Sequence, residues 1–101
     1  MNEHDPLDVQ HQDAAREESE ARAALAKQQE ADDFIWLMND QRGRRIVWRQ
    51  LAASRVFHSS FDPAAMNMAF NEGRRAEGLR LLGQVHALCP DHYPTMMKEN
   101  A

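Results

Sequence analysis

Two groups of residues have types and spacings that could do chemistry. The larger is a set of arginines. Eight lie between residues 42 and 80, at Arg42, Arg44, Arg45, Arg49, Arg55, Arg74, Arg75 and Arg80. Over residues 40–80 only Asp40, Asp62, Glu72 and Glu77 oppose them, a net of +4. Arginines on helices can grip the phosphates of a nucleic acid. They can equally pair with carboxylates inside the fold or across a subunit interface, and Asp40 with Arg44 and Glu72 with Arg75 have the helical i+4 and i+3 spacings for it. Lysine is absent from the stretch and returns only at Lys98. Nonspecific nucleic-acid surfaces mix in lysine, whereas arginine alone suits two-bond pairing with carboxylates, so internal or interface pairing is the favoured expectation. Arg42, Arg44, Arg45, Arg49, Arg74, Arg75 and Arg80 are the candidates for interface or anion contact.

The smaller group is His86-x-x-Cys89-x-x-His92. A histidine and a cysteine three apart on a helix can share one face of a metal, and Pro90 can swing His92 back toward it. A structural zinc needs four ligands. Cys89 is the one cysteine of the chain, so Asp91, His58 or a neighbouring subunit would have to complete the set. Cys89 reads better as a small core hydrophobe. A nucleophilic pair of Cys89 with His86 lacks an orienting third group and an oxyanion feature. The sequence has no phosphate-binding glycine loop, HExxH, GxSxG or calcium loop. Asp32-Asp33 reads as helix capping and Ser59-Ser60 as loop. The expectation is therefore no enzyme, no metal, no cofactor and no catalytic residues.

The elements that must position these side chains are helical. After an acidic start, helix A is expected from Asp32 or Asp33 through Phe34-Ile35-Trp36-Leu37-Met38, apolar on most sides and buried. Asn39-Asp40 offers a stop followed by an N-cap. Helix B follows over about 41–55, with Val47, Trp48, Leu51 and Ala52 on one face and Gly43 in its first turn. Val56 to Phe61 forms a loop. Asp62-Pro63 then reads as N-cap and first helical residue of helix C, about 63–89. Its apolar stripe is Met66, Phe70, Gly73, Leu81, Leu82, Val85, Leu88 and Cys89, and Pro90 ends it. A glycine inside a helix costs roughly 1 kcal/mol and commonly marks a close backbone approach. A crossing of helix C near Gly73 or Gly78 is expected, with Trp36, Gly43, Trp48, Gly73 and Gly78 as the helix-packing residues. Tyr93, Met96 and Met97 suggest a short final turn or helix. No segment alternates at period two, so no sheet is expected.

Gly43-Arg44-Arg45 returns thirty residues later as Gly73-Arg74-Arg75, and Leu51 as Leu81. Four matching positions in an arginine-rich helical chain do not establish a repeat.

Length and charge divide the chain in two. Its 101 residues allow one ordinary domain. Residues 1–32 hold nine acids and three bases, a net of −6, while residues 33–101 hold seven acids and nine bases, a net of +2. All seven aromatic residues fall after residue 33. The first third can bury only Leu7, Val9, Leu25 and alanines, so it cannot build a core. Residues 1–12 are expected as a flexible tail. Residues 13–31, strong helix formers without Gly or Pro, are expected as an exposed or partner-docking helix with Asp13 as N-cap. The fold class expected is all-α: a small three-helix domain over 33–101 with a short C-terminal turn or helix, and an acidic, partly disordered N-terminal helix in the arm 1–32. The uncharged stretches fall short of the roughly 20 residues that span a bilayer. The acidic start Met1-Asn2-Glu3-His4-Asp5 does not read as a signal peptide. One cysteine fits a reducing compartment.

Trp36-Leu37-Met38, Gly43-Arg44-Arg45, Trp48, Leu51, Phe57, Ser60-Phe61, Gly73-Arg74-Arg75, Gly78-Leu79, Leu82, Pro90, Tyr93, Met96 and Glu99 carry a resemblance. Over Trp36 to Glu99 the chain resembles a family of small proteins from the virion-morphogenesis gene cluster of tailed bacteriophages, of the type first named from a Bordetella podophage. The resemblance implies a non-enzymatic structural or assembly protein, a virion component of the head or head-tail region. It implies other phage structural proteins or further copies of the chain as partners, and the virion or the host cytoplasm during assembly as location. It carries over no catalytic residues. Two other readings stand beside it: an arginine-rich nucleic-acid-binding accessory of phage DNA packaging, and a host-directed inhibitor whose acidic arm mimics nucleic acid. No membrane partner is expected. The division of charge also suggests contact between an acidic arm and a neighbour's arginine face.

Overall fold

A computed structural model describes residues 6–101. The order is α1 (Pro6–Met38), α2 (Gln41–Ser54), α3 (Ala65–Leu88) and α4 (His92–Glu99). No strand occurs among the described residues, and the fold is all-α as expected. No described helix is long and apolar enough to cross a membrane.

The acidic region departs from the sequence expectation. Residues 1–5 of the expected tail lie outside the described residues, but helix begins at Pro6, seven residues before Asp13. Proline suits the first helical position because the NH it lacks has no partner there. The helix also does not restart at Asp32-Asp33. Nothing between Leu7 and Met38 is a strong helix breaker, and aspartate costs a helix interior well under about 1 kcal/mol. The Gln28 amide donates to Asp32 Oδ1 at 3.0 Å across one turn, so Asp32 supports the helix from inside.

The chain divides into two units, one ending at Asp33 and one running from Phe34 to Ala101. In the first, every side chain from Leu7 to Glu30 is exposed, as a helix with alanine for most of its apolar residues must be. The second unit holds the core. Met38, Val47, Leu51, Val56, Val85, Cys89 and Met96 are buried there, with Phe34, Leu37, Trp48, Leu81, Leu82, Leu88 and Tyr93 packed around them. The last turn of α1, one face of α2, the C-terminal half of α3 and the short α4 share this cluster.

Local signals explain most boundaries. The Asn39 NH donates to Ile35 O at 3.0 Å and closes α1. Asp40 caps α2 as expected, its Oδ1 accepting from the Arg42 NH at 2.7 Å. At the far end Arg55 takes a left-handed conformation, φ 58° and ψ 37°, and its NH returns to Ala52 O. The start of α3 is later than expected. Asp62 Oδ1 accepts from the Ala64 NH at 2.8 Å, forming a turn rather than a cap, and the helix begins only at Ala65. Pro90 ends α3, and the expected short final turn or helix is an eight-residue helix that buries Met96.

Two glycines are places where helices touch. A Cβ on Gly43 would overlap the Leu37 carbonyl, so α2 leaves its cap against the backbone of α1's last turn. A Cβ on Gly78 would overlap Ser54, with Val56 Cβ next at 3.1 Å, so the end of α2 crosses α3 there. Gly73 does not have the packing role expected of it: nothing lies within 4 Å of where its Cβ would be. Trp36 is also misplaced as a packing residue, being 76% exposed. Trp48 does pack, half-buried on the core and 5.9 Å from the Phe57 ring, centroid to centroid. Ala52, expected on the buried face of α2, is exposed, and Ser54 is buried in that role instead. The first turns of α3 are open too, with Met66 87% and Phe70 67% exposed. The core reaches α3 only through its C-terminal half, because the preceding loop, not a helix, lies against residues 71–75.

Candidate interaction surface

The seven candidate arginines do not form one face. The structure sorts them by helical phase into a clamp, a set of loop contacts and a free stripe.

Arg44 is the clamp. Its Nε donates to Glu99 Oε1 at 2.9 Å and its Nη2 to Glu99 Oε2 at 2.7 Å, a two-bond fork. Nη1 donates to Met38 O at 2.9 Å, a carbonyl that the end of α1 leaves unsatisfied. One guanidinium thus ties α1, α2 and α4. The bonds to Arg44 hold the Glu99 carboxyl below the ordinary carboxylate range, with charge from Arg44, Arg45 and His92 adding to them, while the Glu99 bonds raise the Arg44 pKa above its ordinary value. The expected pairing of Asp40 with Arg44 gives way to this fork, since the Asp40 side chain is turned to its own cap.

Arg74, Arg75 and Arg80 lie on α3. Arg74 Nη2 donates to Asn71 Oδ1 at 3.0 Å and its guanidinium lies 5.3 Å from the centre of the Phe70 ring. Its Nε is buried without a hydrogen-bond partner among the described residues. Arg75 Nε donates to His58 O at 3.1 Å and so fastens the loop. The expected pairing of Glu72 with Arg75 does not form. Glu72 accepts a bond from the Ser60 hydroxyl instead, because the loop crosses α3 at that turn. Arg80 pairs with Glu77 at 3.2 Å, both side chains largely exposed, a contact of small energy.

Arg42, Arg45 and Arg49 make up the free stripe. All three are exposed, and none has a side-chain hydrogen bond or ion pair among the described residues. Beside them lies an open groove of about 500 Å³, lined by Trp36, Leu37, Asp40, Arg42, Gly43 and Ile46. Trp36 and Ile46 are exposed there. An apolar groove next to arginines is the kind of surface that carries binding energy in protein interfaces, where Trp and Arg are enriched.

The His-Cys-His spacing is not brought together. The His86 ring packs on Tyr93 with centroids 4.7 Å apart, and His92 Nε2 pairs with Asn39 Oδ1 at 2.8 Å. Cys89 is buried in the core, and burial pushes its thiol pKa up. Among the described residues no three His, Cys, Asp or Glu side chains gather as a metal set.

Sequence reasoning missed the Arg44–Glu99 fork and the Ser60–Glu72 bond, which span 55 and 12 residues. No local spacing could have shown the first. The second depends on where the loop crosses α3, which spacing does not show either.

These features define a small all-helical protein with a modest core and an arginine-bearing outer face. Residues 34–98 match the model of the Bbp19-like phage protein family, and the chain belongs to that family. No curated protein and no solved structure matches it. The match covers nearly all of the second unit and takes in only the last residues of α1, from Phe34 to Met38.

Proposed function

We propose that this phage protein is a non-enzymatic structural or assembly component that acts through protein–protein contacts, as a small virion constituent of the head or head-tail region. Its partners are other phage structural proteins or copies of itself, and it resides in the virion or, during assembly, in the host cytoplasm. The observation that carries the reading is the outward display of large apolar side chains, Trp36, Phe61, Met66 and Phe70, on a unit with few buried ones. Where such side chains gather into one patch they mark contact with a partner. The test is quantitative mass spectrometry of purified virions and capsid intermediates. The protein should be present at a fixed copy number, and its absence from both would refute the proposal.

The unpaired Arg42, Arg45 and Arg49 favour a second reading, an accessory that contacts DNA during packaging. It requires binding that falls steeply with salt. No DNA retention at low salt would exclude it.

A further inference from the structure

The stripe on α2 has a counterpart in the same chain. The buried residues Gly43, Val47, Leu51 and Ser54 define the inner face of α2. On a helix of 3.6 residues per turn, Arg42, Arg45 and Arg49 fall within about 60° of each other, on the opposite side. They are spaced three and then four residues apart. Three like charges on one helical face repel; none is in an ion pair among the described residues, and the one carboxylate in electrostatic reach is Glu99, which Arg45 shares with Arg44.

On α1, Asp13, Glu17 and Glu20 likewise lie within about 60°. All three are exposed, and Asp13 makes only a long 3.7 Å pair with Arg16, both side chains well exposed. They are spaced four and then three residues apart. Read backward from Glu20, the spacing is three and then four, that of the arginines read forward. Two antiparallel helices would therefore set Arg42 against Glu20, Arg45 against Glu17 and Arg49 against Asp13. A parallel pairing keeps the two outer pairs and shifts only Arg45 against Glu17, by one residue, so the antiparallel pairing is the one that matches all three. Ala14 and Ala21 border the acidic stripe on one side, where such small residues let helices approach to about 8–10 Å, and Arg16 borders it on the other.

We propose that the acidic face of α1 in one copy docks antiparallel on the arginine stripe of α2 in a second copy. This deepens the reading of the chain as an assembly protein and rests on it. The stripe holds no lysine, and carboxylates at matched spacing suit arginine's two-bond fork. The contact is heterologous: a docked pair keeps one free acidic face and one free stripe, so it extends into a chain or closes into a ring.

The test is sedimentation of the full chain over a range of concentrations. Association is expected at about 20 mM salt and should be lost near 500 mM, where screening is nearly complete at these distances. Reversing the stripe with Arg42→Glu, Arg45→Glu and Arg49→Glu should weaken association about tenfold or more, the sum of three modest surface pairs. Reversing the arm with Asp13→Arg, Glu17→Arg and Glu20→Arg should do the same. Mixing the two reversed proteins should restore association, because each then offers what the other lacks. Neutral Gln variants at the three arginines, with helix content checked by circular dichroism, separate lost contact from lost folding. The proposal is overturned by any of three results: no association at low salt, association indifferent to either reversal, or no recovery on mixing. DNA binding that depends on the arginines while self-association does not would assign the stripe to nucleic acid and overturn it as well. Virion composition is read separately, so a chain absent from virions yet self-associating refutes the functional reading and not the contact.

Discussion

Substituting the glycines of α3 with alanine tests the packing directly, because one helix holds both crowded and open sites. At Gly83 and Gly73 nothing lies within 4 Å of an added Cβ. Alanine there removes unfolded-chain freedom at no steric cost, a gain of about 0.5–1 kcal/mol. At Gly78 the added methyl would meet Ser54 Cβ at 2.6 Å and Val56 Cβ at 3.1 Å. Both are Cβ atoms fixed to backbone, so no rotamer change clears them. Ser54 is held further, since its hydroxyl donates to Leu51 O at 2.7 Å. Overpacking of this kind costs about 1–3 kcal/mol, and the rigid neighbours put Gly78 at the upper end. Set against about 1 kcal/mol of helix propensity, the net loss is about 2 kcal/mol. For a domain of this size that lowers Tm by about 8–16 °C, while Gly83→Ala raises it by a few degrees. Urea unfolding followed by tryptophan fluorescence gives the free energies. Adding Ser54→Gly to Gly78→Ala removes the nearest obstacle, so the pair should be less destabilised than the sum of the single changes. Equal behaviour of Gly78→Ala and Gly83→Ala would refute the close crossing of α2 and α3.

Three other outcomes follow from the same contacts. Met96 is fully buried and Met66 87% exposed, so Met96→Ala should cost about 2–5 kcal/mol, while Met66→Ala in the isolated protein should stay within about 0.5 kcal/mol, both read by urea unfolding. The Glu99 carboxyl titrates lower folded than unfolded, so its contribution is present above the ordinary value of 4.5 and is lost as pH falls through the lower folded value. Thermal scans across that acid range should therefore show a fall in Tm that is shallower in Glu99→Gln. Burial raises the Cys89 thiol pKa, so modification by a thiol reagent at pH 8 should be at least about tenfold slower in the native than in the unfolded protein, and equal rates would contradict the buried placement.

What was legible in the sequence depended on whether its cause was local. Asp40 as a cap, Pro90 as a stop and the inner face at Val47 and Leu51 each rest on residues a few positions apart. Asp62-Pro63 was also a local signal, yet the Asp62 side chain spent its bond on the Ala64 NH, and the turn came first. Asp32-Asp33 read as a start because aspartate favours caps, but a cap works only where the preceding chain is not helical, and the helix arriving from Pro6 removed that condition. Met66 and Phe70 had the right spacing for a core stripe and lacked only a neighbour to pack on, which periodicity cannot supply. Gly73 failed for the same reason.

The repeated Gly-Arg-Arg shows most clearly where spacing stops informing. At the first copy Gly43 meets the backbone of α1, which turns Arg44 inward to Met38 O and Glu99 and leaves Arg45, one residue and about 100° on, facing outward. At the second copy Gly73 meets nothing, and Arg74 and Arg75 settle on Asn71, Phe70 and the loop carbonyl of His58. The same three residues therefore build a clamp and a free charge in one place and two surface braces in the other. What separates them is the crossing partner of the glycine. The arginines open to a partner can thus be found only after the core has claimed its own. Once Arg44 is withdrawn from the α2 set, the remaining three acquire the three-then-four spacing that the acidic helix mirrors.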